Sequence, residues 1–188
     1  MGINIRKTER TLADGRAVFY YDTANQSRDA VDRRPQEPQS PIGELRYNAL
    51  LGDWLVVAAH RGNRTFYPPK ELCPLCPTAP DATNMLTEIP EPDYEVAVFD
   101  NRFPSLTRPT RDFSLPSPLG VEDIHVESAG KCEVVCFSSE HSAYFYQLPA
   151  QQARVVLEAW IDRTEAMKKL PYIQHVCPFE NRGVEVGV

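Results

Sequence analysis

Cys73-Pro74-Leu75-Cys76 is the closest pair of thiols in this sequence. Two thiolates at that spacing fit adjacent corners of a zinc tetrahedron, and Pro74 and Pro77 stiffen the loop around them. The same spacing also serves two plain loop thiols or a redox pair. The redox reading fits less well, because Pro77 and more loop follow Cys76 rather than a helix start that would lower a thiol pKa. In His60-Arg61-Gly62-Asn63-Arg64, two guanidiniums three residues apart can converge on one phosphate pair, or simply form a solvated basic turn. Asn101, followed by Arg102, carries the paired donor and acceptor that reads a base or ribose, although Asp100-Asn101 is also ordinary turn chemistry. Glu180 and Asn181 pose the same choice between polar turn and site. Of the four histidines, His141 lies in a loop after Ser138-Ser139-Glu140 and, taken alone, reads as a surface or hydrogen-bonded residue.

Strands and one helix must position these groups. Asp14-Gly15 marks a hairpin turn, with Val18 to Tyr21 as its second strand. Residues 23–43 are polar and proline-rich and read as an arm that wraps or stays mobile. Core sequence begins at Leu45, turns at Leu50-Leu51-Gly52-Asp53, and continues as Trp54 to Ala59, a strand expected to be buried on nearly both faces. The paired cysteines occupy the loop from His60 to about Pro90. Tyr94 to Phe99 is the next strand, ending at Asp100-Asn101. Asp123 to Ser128 and Cys132 to Phe137 are expected to pair as a hairpin across Ala129-Gly130-Lys131. Pro149 to Leu170 is the long helix, with Ala153, Val156, Leu157, Trp160, Ile161 and Met167 as its apolar stripe. Pro171 stops it, and Tyr172 to Phe179 is expected to be a final strand. The sum is an α+β pattern: a largely antiparallel sheet with one long packed helix. Cys132, Cys136 and Cys177 read as core thiols rather than ligands.

A chain of 188 residues with 42% hydrophobic and 24% charged residues suits one globular domain with an appendage. The expected division is an N-terminal hairpin and Pro-rich arm over 1–43 and a main domain over 44–188. A net charge of −6 argues against bulk binding of nucleic acid or anionic membrane, while leaving room for a small anion held by a few arginines. No apolar run reaches the roughly 18–20 residues of a membrane span, and the polar N-terminus lacks a signal-peptide core. Five cysteines, an odd set with one close pair, suit a reducing compartment, so a cytoplasmic location is expected.

Arg46-Tyr47-Asn48 through Trp54, His60-Arg61-x-x-Arg64, Cys73-x-x-Cys76, Asn101, Cys136-Phe137-Ser138-x-x-His141 and Glu180-Asn181 follow one another in an order that resembles the galactose-1-phosphate uridylyltransferases, over roughly residues 45–183. The resemblance implies a histidine-triad-like half-barrel and uridylyl transfer from UDP-glucose to galactose-1-phosphate through a uridylyl-histidine. It implies zinc on Cys73, Cys76 and His141, and substrate contacts from Arg61, Arg64, Asn101, Arg102, Glu180 and Asn181. The family often has an acidic residue after the asparagine, where this chain has Arg102. The family's His-Pro-His run, source of the nucleophile and one zinc ligand, is expected beyond Val188. This sequence therefore reads as a fragment or split half, inactive alone, completed by a second polypeptide or a missing C-terminal half. A homodimer is implied for the complete form. The alternatives are a non-catalytic zinc-binding or interaction domain, a truncated relic, and a related nucleotidyl transferase or nucleoside-diphosphate-sugar phosphorylase. Poor solubility or self-association is expected of the isolated chain, from an exposed sheet edge.

Overall fold

A computed structural model of the chain describes residues 4–39, 43–62, 68–82, 86–110 and 125–181. Arg64, Arg182, Gly183 and most of the 102–120 loop fall outside these residues. The chain divides into two compact units. One comprises the described parts of Met1–Gln39, Tyr67–Asp100 and Val134–Thr164; the other comprises those of Ser40–Phe66, Asn101–Glu133 and Glu165–Val188. The architecture is α+β, with two open sheets where one was expected and one long helix.

Seven strands occur among the described residues: β1 (Arg6–Thr11), β2 (Ala17–Asp22), β3 (Glu44–Asn48), β4 (Asp53–Val57), β5 (Val96–Asp100), β6 (His125–Glu127) and β7 (Glu133–Cys136). The sheet of the first unit runs β1-β2-β5-β7. The β1–β2 hairpin closes with Leu12 N–H on the Arg16 carbonyl, while Gly15 N–H bonds the Leu12 carbonyl. The loop is therefore one residue longer than a two-residue turn, and Gly15 takes φ +83°, the left-handed conformation such a loop requires. β2 and β5 pair antiparallel in the register Val18 to Phe99 and Tyr20 to Ala97.

Alternation along these central strands builds two cores, one on each face of the sheet. Val18, Tyr20, Ala97 and Phe99 pack with Leu12, Ile89 and Tyr94, with Leu75, Val134 and Cys136 against them. Phe19, Tyr21, Val96 and Val98 meet Val155, Val156 and Ala159 of the helix α1 (Ala150–Lys168). Coverage on both faces explains why β2 and β5 read as continuous apolar runs. Gln152 of α1 donates to the backbone carbonyls of Glu95 and Phe137, pinning the helix to two strand ends. Trp160 stacks on Phe145, which meets Phe137 edge-on. Leu157 and Ile161, expected in the apolar stripe, are exposed; the buried face is set one residue back, through Val155, Val156 and Ala159.

In the second unit the sheet order is β4-β3-β6, all antiparallel. Asn48 Oδ1 accepts from the Leu50 and Leu51 amides, and Gly52, at φ +74°, completes the expected turn into β4. β4 is an edge strand, and Leu55 and Val56 are each 48% exposed, against the expectation of burial on both faces. The hairpin expected between residues 123–128 and 132–137 does not form. β6 pairs with β3 instead, and β7 joins the other sheet beside β5. A long-range partner wins over the neighbour in sequence, because local alternation does not choose between them. Residues 172–179 carry no strand.

The arm over residues 23–39 has no regular structure, yet it is anchored. Arg28, 2% exposed, is held by Asp22 at 2.6 Å and by Asp93 at 2.8 Å.

Candidate functional site

The Cys73–Cys76 loop is built on the first unit's core. A single 3₁₀ turn, Lys70–Leu72, delivers the chain to Cys73, whose amide bonds the Lys70 carbonyl at 3.2 Å. Leu75, between the cysteines, packs against the core formed by Val18, Tyr20 and Phe99. Glu88 N–H bonds the Pro74 carbonyl at 2.8 Å, and Thr78 N–H bonds the Ile89 carbonyl at 3.0 Å, so the loop is stitched to residues 88–89. Thr87 Oγ1 adds contacts to Thr78 and to Ile89.

His141 reaches the same place from β7. The chain leaves that strand through Ser138, whose carbonyl accepts from the Tyr94 hydroxyl at 2.9 Å and whose Oγ accepts from the Glu140 amide. A turn closed by Ala143 N–H on the Glu140 carbonyl then presents the imidazole. The ligand atoms of Cys73, Cys76 and His141 lie within 4.8 Å of one another, all half-buried, with Cys76 Sγ 3.2 Å from His141 Nδ1.

Burial and then the neighbouring Cys73 sulfur push the Cys76 thiol up to about 12. Burial likewise raises the Cys136 thiol to about 12, opposed by its hydrogen bond with Tyr94. Metal-free, these are protonated thiols. Two thiols and an imidazole converging at one point form an N/S donor set suited to zinc, whose charge would deprotonate its thiol ligands. All five cysteines are free of disulfides.

The candidate substrate residues of the sequence reading belong to the second unit. Ala59–Arg61 forms a 3₁₀ turn after β4. His60 Nε2–H donates to the Pro104 carbonyl at 2.8 Å, and the exposed Arg61 donates to Ser105 Oγ at 2.5 Å. These two bonds fasten the turn to the loop that follows Asn101 and Arg102. Asn101 Oδ1 accepts from the Phe103 amide at 2.9 Å, an Asx turn that uses its acceptor locally. The Arg102 guanidinium lies 5.5 Å from the Phe103 ring centroid. Glu180 and Asn181 are exposed in irregular chain. Tyr94 and Glu88, which hold the segments bearing Cys73, Cys76 and His141, gave no sequence signal; each reads as an ordinary strand or loop residue.

Comparison with known proteins bears on this geometry. The family "Galactose-1-phosphate uridyl transferase, N-terminal domain" matches residues 36–188. A galactose-1-phosphate uridylyltransferase of Streptomyces lividans is 42% identical over 185 residues, 98% of this chain and 46% of the relative. One from Thermotoga maritima is 36% identical, over 77% of this chain and 42% of the relative. One from Rattus norvegicus is 32% identical, over 76% and 39%. The chain spans about half the length of the curated relatives it matches.

Proposed function

We propose a uridylyl-transfer role for this chain, which belongs to the galactose-1-phosphate uridylyltransferase family through its N-terminal domain. The donor is UDP-glucose and the acceptor galactose-1-phosphate. The observation that carries the reading is the convergence of Cys73, Cys76 and His141 from two separate loops in a chain 42% identical to a uridylyltransferase.

Cys73, Cys76 and His141 hold zinc, whose contribution is to lock the two loops in one geometry. Arg61 and Arg64 bind the phosphates of the nucleotide sugar and offset the charge that builds on the phosphoryl oxygens during transfer. Asn101 offers its amide N–H groups to the ribose or base, with Arg102 beside it supplying positive charge. Glu180 and Asn181 orient the substrate. None of His60, His125, His141 and His175 lies in a His-x-His arrangement. The family's His-Pro-His run does not occur in these 188 residues, and covalent transfer through such a histidine divides one difficult displacement into two easier ones. The chain alone binds and does not transfer.

The test is labelling with UDP-glucose carrying a radioactive α-phosphate. Alone, the chain should take up nucleotide reversibly and retain no acid-labile covalent label. Mixed with a polypeptide bearing the family's His-Pro-His run, label should appear on that partner and pass to galactose-1-phosphate. Covalent label on the isolated chain would overturn the proposed division of labour. Zinc retained without affinity for UDP-glucose would favour the non-catalytic binding domain. Transfer to inorganic phosphate instead of the sugar phosphate would favour the phosphorylase.

A further inference from the structure

Five side chains of alternating charge, Asp14, Arg16, Glu88, Arg34 and Asp32, three of them buried, join the β1–β2 loop and the arm at Glu88 beside the cysteine loop. Arg16 joins Asp14 at 2.7 Å and also pairs with Glu88. Arg34 takes the other Glu88 oxygen at 2.8 Å and Asp32 at 2.7 Å. Asp32 also accepts from the Ala13 amide at 2.9 Å, and Arg16 donates to the Asp100 carbonyl at 2.8 Å at the end of β5. Relative exposures of 7% for Asp14 and Glu88 and 6% for Arg34 keep these pairs largely out of water, where charge-assisted bonds are strong and a lost partner is costly. Glu88 is the centre of this chain, held by Arg16 on one side and Arg34 on the other, and its own amide holds the Pro74 carbonyl between the two cysteines.

We infer that the arm is a clasp for the metal loop, with Arg34 and Arg16 acting as positioning residues through Glu88. The inference rests on the proposed zinc site and deepens it. With both carboxylate oxygens of Glu88 engaged, residues 88 and 89 are fixed against the sheet. The turn Cys73-Pro74-Leu75-Cys76 is then held before the metal arrives. Asp14, Arg16, Asp32 and Arg34 all precede residue 36, where the family match begins.

The experiment is titration of the full chain with Co(II), read by its thiolate charge-transfer and d–d bands, followed by competition with zinc. Variants are Arg34→Met, the isosteric Glu88→Gln, and Arg28→Met as comparator. Arg28→Met breaks an equally buried ion pair that does not touch Glu88. Arg34→Met and Glu88→Gln should each weaken metal binding by roughly tenfold, as loss of supporting contacts around metal ligands commonly does. Arg28→Met should shift it far less at comparable loss of thermal stability. In the metal-free protein, the Glu88 amide should exchange its hydrogen faster in Arg34→Met and Glu88→Gln than in Arg28→Met. Equal affinities across wild type, Arg34→Met and Glu88→Gln would overturn the clasp while leaving the metal site standing. Equal weakening in all three variants would also overturn it, reducing the effect to global stability. A wild-type chain that takes up no Co(II) would overturn the metal site and the inference together.

Discussion

The two sheets make opposite use of their residues. In the four-stranded sheet, β2 and β5 bury nearly every side chain, with one core on each face. In the three-stranded sheet, β4 leaves Leu55 and Val56 half-exposed, and its strands hold no buried apolar residue among those described. The candidate sites follow the same division. Cys73, Cys76 and His141 converge on a scaffold held by Leu75, Tyr94 and Glu88, whereas Arg61, Glu180 and Asn181 sit exposed on loops. A metal ligand set needs fixed atoms, and a buried core supplies them. A nucleotide-sugar site needs access, which loops allow.

The contrast breaks hardest by mutation of the first core. Phe99→Ala, at 1% exposure, should cost about 4 kcal/mol. Leu55→Ala should change stability by no more than about 0.5 kcal/mol, as for other open surface sites. Urea unfolding of both variants checks the difference, and equal losses would remove the distinction between the sheets.

Acid should act next, again through the first unit. Burial raises the pKa of Asp14 and of Asp32, but hydrogen bonds and charge from Arg16 and Arg34 outweigh it, so both sit below their ordinary value of 3.8. A carboxylate with a depressed folded pKa adds stability that is complete above its unfolded value and is lost as pH falls through the folded one. The Asp14–Arg16 and Asp32–Arg34 pairs should therefore be intact at neutral pH and be lost only below about 3.8. Urea midpoints measured from pH 6 down to 2.5 should show that decline, shallower in Asp32→Asn.

The smallest effect on stability, within about 0.5 kcal/mol, should come from Arg61→Ala, because the side chain is exposed. Its effect should instead be on nucleotide-sugar binding, reduced roughly tenfold or more by loss of a charge-assisted contact. Calorimetric titration with UDP-glucose alongside thermal melting separates the two. An unchanged affinity would return Arg61 to a surface basic turn.

What the sequence made legible was local. The thiol spacing, the Asp14-Gly15 hairpin, the Gly52 turn and the long helix depend on residues close together in the chain, and each has a compositional signature. What it hid was long-range. β6 and β7 have the pattern of a hairpin, but each found a partner from another part of the chain. Residues 23–39 read as an arm that wraps or stays mobile, because charge and proline mark both kinds of segment. Two of their arginines are matched to carboxylates more than fifty residues away, Arg28 to Asp93 and Arg34 to Glu88, and that pairing has no local sign. Asn101 shows its turn reading: its carbonyl oxygen closes a turn, and its amide N–H groups are not used by that bond.

The β2–β5 pairing has a further consequence, in time rather than space. Arg16 meets the Asp100 carbonyl across a separation of 84 residues. At roughly 5–20 residues per second of synthesis, the first hairpin waits on the order of 4–17 s for the strand that completes it. Throughout that interval Val18-Phe19-Tyr20-Tyr21, an apolar and aromatic run, presents an unpaired edge of the kind that recruits other chains. The chain is most exposed to aggregation on the ribosome, before β5 emerges, and a chaperone that shields β2 during those seconds should raise its yield more than any change to the finished surface.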